Sequence, residues 1–227
     1  MSAEPAGARP GPGDHADRLR WNAKYAGDFV PSFVPHPLAV RIFGSFGSCG
    51  SCGSYGSCGS YGSFGSLSAD LPDGPVPDGP VAELACGPSG AALLAAAGGR
   101  RVTAVDVSEV ALGMLGDEAR RRGLDHLIIL VHADLSAWRP EPRSYAVVLC
   151  TGFWASAVFT AAAEGVGADG LLGWEAFTAE ARSSRPSLQA DWCLAAGEPA
   201  SLLPPDFTLL DQHDRGPKRQ LLARRHL

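Results

Sequence analysis

Nowhere in the 227 residues do about twenty apolar residues run without a break, the length a membrane-crossing helix requires, so a membrane partner is not expected. A basic groove is missing too. The 24 acidic residues outnumber the 19 lysines and arginines and give a net charge of −5, which argues against a nucleic-acid polymer as partner because phosphate neutralisation needs clustered cations. The one arginine run, Arg120-Arg121-Arg122, falls at a predicted helix end, where the helix dipole and solvation account for it. The N-terminus has no apolar signal core. Residues 1–16 are rich in Pro, Gly and Ala and read as a disordered arm, and the expected location is the cytoplasm. Cysteine is sparse outside one segment: Cys86, Cys150 and Cys193 sit in or beside apolar stretches, as small core residues do.

The other three cysteines, Cys49, Cys52 and Cys58, belong to a Gly-Ser-X repeat over 44–67 in which X is Phe, Cys, Tyr and finally Leu. A Gly-Ser majority behaves as flexible coil, and a three-residue period fits neither a strand nor a helix. The cysteine spacing follows from the repeat itself. Because a zinc site needs four well-placed ligands, no metal is expected. The repeat reads as a low-complexity surface insertion. The remainder, 17–227, suits a single domain with one core, being part of a chain that is 45% apolar and 19% charged.

What is present begins at residue 81. The segment 81–106 reads as strand, glycine-bearing turn, helix, strand, with Asp106 ending the second strand. Ser89 is placed to cap the helix and Gly98-Gly99 to end it. Gly87 and Gly90 remove side chains where the chain turns into that helix, so that a cofactor can approach the backbone and the helix's unpaired N–H groups. Asp106, at a strand's carboxyl end, can accept hydrogen bonds from both hydroxyls of a ribose. Such a unit holds adenosine-containing cofactors. Ala85-x-Gly87-x-x-Gly90 is a near miss to the dinucleotide fingerprint, so these residues alone leave a nicotinamide cofactor open.

Two further strands follow. A third buried strand over 127–131 ends in His132-Ala133-Asp134, and a fourth over 145–150 ends in Thr151-Gly152-Phe153-Trp154. Here the chain resembles the class I S-adenosylmethionine-dependent methyltransferases. Glu83-Leu-Ala-Cys-Gly87-Pro-Ser-Gly90 stands as the first motif, Thr103-Ala-Val-Asp106-Val107-Ser as the second and His132-Ala-Asp134-Leu135 as the third. Upstream, Trp21-Asn-Ala-Lys-Tyr25 is similar to the W-x-x-x-Y entry segment of small-molecule and tellurite-resistance-type members. The resemblance implies S-adenosyl-L-methionine as cofactor, with Glu83 orienting its amino end partly through water, Ala85 and Gly87 along its methionine part, Asp106 on the ribose and Asp134 facing the adenine amino group. It also places Trp21, Tyr25, Val107, Leu135 and Thr151 at the cofactor. Family members usually carry glycine where this chain has Ala85 and Ser89.

The implied architecture is α/β, a Rossmann-like doubly wound sheet, mostly parallel with a reversed C-terminal strand and helices on both faces. Helices are expected over 89–97, 108–122 and 155–164, the second with Ala111, Leu115 and Ala119 as its buried stripe. Further strands are expected over 171–177, 207–212 and 219–223. The link 214–218 is too short for a right-handed crossover, so the last two strands must pair antiparallel. Nicotinamide folds usually continue in parallel, which makes this hairpin the best discriminator between the two cofactors. The basic tail 218–225 reads as a strand with a wet face, and the prolines of 31–37 and 71–80 mark connectors.

Methyl transfer is an in-line displacement, so the protein's task is to align the acceptor and exclude water. Candidates around the mouth are Trp21, Tyr25, Thr151, Phe153, Trp154, Trp174 and Glu175. A hydroxyl acceptor would need a base, and His36, His132 or Glu175 could supply one, although a solvated or structurally bonded side chain is the better reading of each. No catalytic residue is named. The partner expected is a small-molecule methyl acceptor. The alternatives are an NAD(P)-dependent oxidoreductase, for which the chain lacks a Tyr-x-x-x-Lys pair, and a non-catalytic S-adenosylmethionine-binding protein.

Overall fold

A computed structural model of the chain describes residues 16–44 and 74–226. The expected N-terminal arm, all but Ala16, and the Gly-Ser-X insertion, all but Gly44, lie outside the described residues, as do Cys49, Cys52 and Cys58.

Among the described residues, eight strands form one sheet. Helices α1 (Ala16–Ala26) and α2 (Pro37–Phe43) precede β1 (Val81–Leu84), α3 (Gly90–Ala97), β2 (Val102–Asp106), α4 (Glu109–Arg121) and β3 (Ile128–His132). Then follow β4 (Tyr145–Thr151), α5 (Ser156–Gly165), β5 (Val166–Thr178), the two-residue β6 (Cys193–Leu194), β7 (Phe207–Arg215) and β8 (Lys218–Arg225). The order across the sheet is β3-β2-β1-β4-β5-β8-β7, with β6 paired to β5 off this path. The first five strands of that order run parallel, and β8 runs against both β5 and β7. The doubly wound sheet with a reversed terminal strand is therefore as expected, and the chain order reverses direction across the sheet between β1 and β4, where such folds place ligands at the strands' carboxyl ends.

Two helices start on the serines expected to cap them. The Ser89 hydroxyl accepts from the Ala91 and Ala92 N–H groups and the Ser108 hydroxyl from Ala111 N–H, so both starts are capped by the expected residues. Ala111, Leu115 and Ala119 are buried as the helical period requires. Helices α2, α3 and α4 cover one face of the sheet, and α5, with Trp154, Phe159 and Trp174, covers the other.

Four expectations are corrected. The strand over 127–131 is not buried: β3 is a sheet edge, and Ile129 and Leu130 are 60% and 37% exposed. Its apolar composition gave no sign of its position in the order. From Gln220 to Arg225 the basic tail has no wet face. β8 lies between β5 and β7, and Arg224 and Arg225 are buried because backbone carbonyls and a carboxylate accept their hydrogen bonds: Arg224 donates to the Gly74, Pro75 and Asp169 oxygens, and Arg225 to Ala163, Val166 and the Asp206 carboxylate. The connector 31–37 leads into a helix that was not anticipated, α2, in which Pro37 opens the first turn and the His36 ring Nδ1 accepts from Leu38 N–H. Leu38, Ala39, Ile42 and Phe43 are buried, and Leu38 and Ile42 pack over Gly173. Burying side chains of that size contributes about 1.5–3 kcal/mol each, enough to hold a seven-residue helix that would not stand alone. Finally, Trp154 and Trp174 do not face an acceptor. They are 4% and 0% exposed and pack edge to face in the core, with the Trp174 indole N–H donating to the Phe153 carbonyl at 3.0 Å.

Candidate functional site

A cleft of about 300 Å³ opens at the carboxyl ends of β1, β2, β3 and β4 and is walled on its outer side by α1. Its lining is Asp17, Trp21, Lys24 and Tyr25 from α1, residues 85–88 after β1, Asp106 and Val107 after β2, Asp134 and Leu135 after β3, and residues 151–153 after β4. Nine of the ten residues expected at the cofactor thus meet in one cavity; the tenth, Glu83, does not line it.

Asp106 organises the floor. One carboxylate oxygen accepts from Gly87 N–H at 2.8 Å and the other from Ser108 N–H at 2.8 Å, so a single side chain fixes the glycine turn relative to the start of α4. Each oxygen keeps a second acceptor direction. Burial pushes the Asp106 carboxyl upward in pKa, and the Ser108 and Gly87 N–H bonds oppose that push. Gly87 has φ +56°, and a Cβ there would lie 3.1 Å from the Tyr25 hydroxyl, so the bare turn admits the α1 phenol. Burial, reinforced by Asp106 and Cys86, pushes the Tyr25 pKa up and keeps the phenol protonated. Ala85, which stands where glycine is usual, adopts φ +48° and carries a backbone strain that glycine would not.

The second glycine substitution has a different result. The Ser89 hydroxyl donates to the Glu83 carboxylate, 2.7 Å from both of its oxygens, while accepting from α3. Burial raises the Glu83 pKa to about 7, against the opposing bonds from Ser89 and Ala92. Glu83 is therefore a buried acid beneath the turn, behind the cavity wall. Between its ordinary value near 4.5 and about 7 the folded state holds a proton that the unfolded chain has released, so this group's contribution to stability falls as pH rises through that window. Glu83→Gln keeps a Ser89 acceptor and removes the charge. It is expected to raise the melting temperature by several degrees at pH 8, from a contribution of up to about 3 kcal/mol, and to leave it unchanged at pH 4. Thermal unfolding of the ligand-free protein at the two pH values checks this; an equal shift at both would remove the titration as cause.

Gly90, expected to open the helix to a cofactor, does not line the cleft. Its bare face is crossed by the backbone of 33–35, and a Cβ would stand 2.4 Å from the Phe33 carbonyl oxygen. Sequence reasoning saw the glycine but not its neighbour, which is distant in the chain. Helix α1 is held over the cleft by Arg18, which pairs with Glu109, and by Asn22, whose oxygen accepts from the Ser108 hydroxyl at 2.7 Å. Trp21 and Tyr25 do share a face, with ring centroids 6.0 Å apart. Lys24 and Asp17, which also line the cleft, were not anticipated; their spacing of three and four residues from Trp21 on one helix was the available signal.

None of the three candidate bases is in the lining. The His36 Nδ1 accepts from Leu38 N–H, so its Nε2 carries the proton and donates to Glu175 at 3.0 Å. Burial disfavours the Glu175 carboxylate, but bonds from His36, Lys218 and Gln220 outweigh it and hold the pKa down at about 2, far too low for a base at neutral pH. His132 lies 3.1 Å from the Val107 carbonyl.

Residues 81–166 match the family model described as a methyltransferase domain. No curated protein matches the chain. Among solved structures, one determined for the conversion of a disulfide bond into a thioacetal group during echinomycin biosynthesis has 16% identity and a TM-score of 0.62, covering 92% of each chain. An S-adenosylmethionine-dependent methyltransferase from Mesorhizobium loti has 15% identity and a TM-score of 0.55, covering 66% of this chain and 92% of its own. Geranyl diphosphate C-methyltransferase from Streptomyces coelicolor A3(2), solved with S-adenosyl-L-homocysteine, has 11% identity and a TM-score of 0.54 over 66% of this chain and 74% of its own.

Proposed function

We propose that this methyltransferase, whose cofactor is S-adenosyl-L-methionine, acts on a small-molecule acceptor in the cleft beneath α1. The observation that carries the reading is the Asp106 carboxylate: both oxygens are anchored by backbone N–H groups, and their remaining acceptor directions suit the two hydroxyls of a ribose. Asp134 receives the adenine amino group, with Val107 and Leu135 as the apolar faces for a flat base. Ala85 and Gly87 take the methionine part. Glu83, one layer behind, acts through the turn it braces and not by contact.

When bound, the cofactor supplies an electrophilic methyl group on a sulfonium. The protein's own contribution is placement and exclusion of water. Trp21, Tyr25 and Phe153 present aromatic surface to the cleft, which favours a dry acceptor. Tyr25, held protonated, can donate a hydrogen bond but serves as neither acid nor base at neutral pH. With His36 and Glu175 bonded to each other, we assign no general base, and the chemistry rests on alignment.

The Trp21 and Tyr25 entry segment supports grouping the chain with small-molecule and tellurite-resistance-type members. Cys86, Cys150 and Cys193 are free thiols in or beside the core, the usage of a reducing compartment, and we place the protein in the cytoplasm. No helix among the described residues is long and apolar enough to cross a membrane. Calorimetric titration with S-adenosyl-L-homocysteine is expected to show saturable micromolar binding, and NAD none. Binding of NAD in preference to the homocysteine would overturn the reading.

A further inference from the structure

Two cations share one aromatic surface at the edge of the cleft, which Lys24 and Trp21 line and Arg20 and Trp192 adjoin. The Arg20 guanidinium lies 4.5 Å from the Trp192 ring and 5.7 Å from Trp21, and the Lys24 ammonium lies 4.4 Å from Trp21, 5.2 Å from Tyr25 and 5.9 Å from Phe29. Neither makes a salt bridge among the described residues, although Arg18 on the same helix pairs with Glu109. The like charges repel: burial, then the nearby Arg20, lowers the Lys24 pKa. Ring faces compensate a cation only partly and leave its N–H donors unspent. Trp192 belongs to the turn Ala190–Trp192 just before β6, which pairs with the end of β5, so the Arg20–Trp192 contact bridges α1 and the far side of the sheet's carboxyl edge. A net charge of −5 makes this local positive cluster stand out from the whole.

We propose that Arg20 and Lys24 recognise an anionic group, a carboxylate or phosphate, on the methyl acceptor, and that a flat apolar part of the same molecule packs on Trp21 and Trp192. This rests on the reading of the chain as a small-molecule methyltransferase. The two cations supply charge-assisted donors, the indoles supply flat area, and Lys24 carries the recognition into the cleft lining, where Phe153 lies. Acceptors lacking the anion leave the repulsion between the cations uncompensated, which gives the site its selectivity.

The cofactor's methionine also bears a carboxylate, and the test separates the two sources. Protein saturated with S-adenosyl-L-homocysteine is titrated with 1-naphthoate and with its neutral counterpart 1-naphthamide. The expected result is about tenfold tighter binding of the naphthoate, a preference that Arg20→Gln erases while its affinity for the homocysteine stays within about twofold of the unaltered protein. Arg20 is exposed, so the variant should fold, which its circular dichroism checks. Equal binding of the two probes by the unaltered protein overturns the proposal. So does a result in which Arg20→Gln and Lys24→Met weaken the homocysteine about tenfold but leave 5′-methylthioadenosine, which lacks the carboxylate, unchanged, since the cations then serve the cofactor. If the unaltered protein binds no homocysteine, the methyltransferase reading fails first, and that outcome is distinct from the others.

Discussion

Replacing Asp106 by Asn, a change of one heavy atom, is expected to weaken cofactor binding about a hundredfold or more and to destabilise the fold. Both oxygens of Asp106 accept from backbone N–H groups, one from Gly87 and one from Ser108. An amide has one oxygen and one nitrogen, so whichever way it flips, an –NH2 group faces an N–H donor in a site that is 7% exposed. The buried donor left without a partner costs about 1–3 kcal/mol, a fall in melting temperature of several degrees for a chain of this size. Affinity falls further, because the turn loosens and the charged acceptors for the ribose hydroxyls go with it. About a hundredfold loss or more for S-adenosyl-L-homocysteine is expected by calorimetry. Asp134→Asn is the comparison: it retains an acceptor oxygen and should lose no more than about tenfold. If Asp106→Asn binds within threefold of the unaltered protein, the ribose assignment is wrong.

Gly90→Ala is the second large effect, and its sign is opposite to the usual rule. Alanine in a helix is ordinarily worth about 0.5–1 kcal/mol over glycine. At Gly90 the added methyl would meet backbone, 2.4 Å from the Phe33 oxygen, 2.5 Å from the Val34 carbonyl carbon and 2.6 Å from the Pro35 nitrogen. No side chain can rotate away, so the segment joining α1 to α2 must lift. Overpacking of this kind costs about 1–3 kcal/mol, and here it also disturbs α1, which contributes Asp17, Trp21, Lys24 and Tyr25 to the cleft. The variant should melt several degrees lower, bind S-adenosyl-L-homocysteine more weakly and be cut faster by protease between residues 27 and 36. Gly113→Ala, in the open on α4, should instead raise the melting temperature slightly. A Gly90→Ala protein as stable as the parent would mean that the strap does not lie on α3.

These two residues show how unevenly the sequence disclosed the site. Asp106 was legible because a carboxylate ending the second strand after a glycine turn serves a purpose fixed by local order: strand, turn, helix, strand determine where its oxygens point. The same holds for Asp134, Val107, Leu135 and Thr151, each just past a strand's carboxyl end. Gly90 was legible only as a glycine. What needs its bare face is the backbone of 33–35, more than fifty residues away and separated from it by the Gly-Ser-X segment. Glu83 was expected at the cofactor because it sits in the first motif, but its strand position turns it toward Ser89 behind the wall. Trp154 and Trp174, plausible as acceptor-facing aromatics, point into the core, Trp174 from β5 and Trp154 from the loop before α5, because both pack against Phe159 of α5.

By itself the sequence determined the α/β class, the boundaries of most elements, the two serine caps, the antiparallel terminal hairpin and the order of acids along the sheet edge, because each of these depends on periodicity or on residues close in the chain. Only the tertiary structure decided that β3 is an edge, that β8 with Arg224 and Arg225 is interior, that α2 exists to cover Gly173, and that α1 lies across the cleft with Lys24 in its lining and Arg20 beside it. Those facts depend on which segments meet after the chain has folded back on itself, and a side chain's burial or partner is set by that meeting, not by its neighbours in sequence.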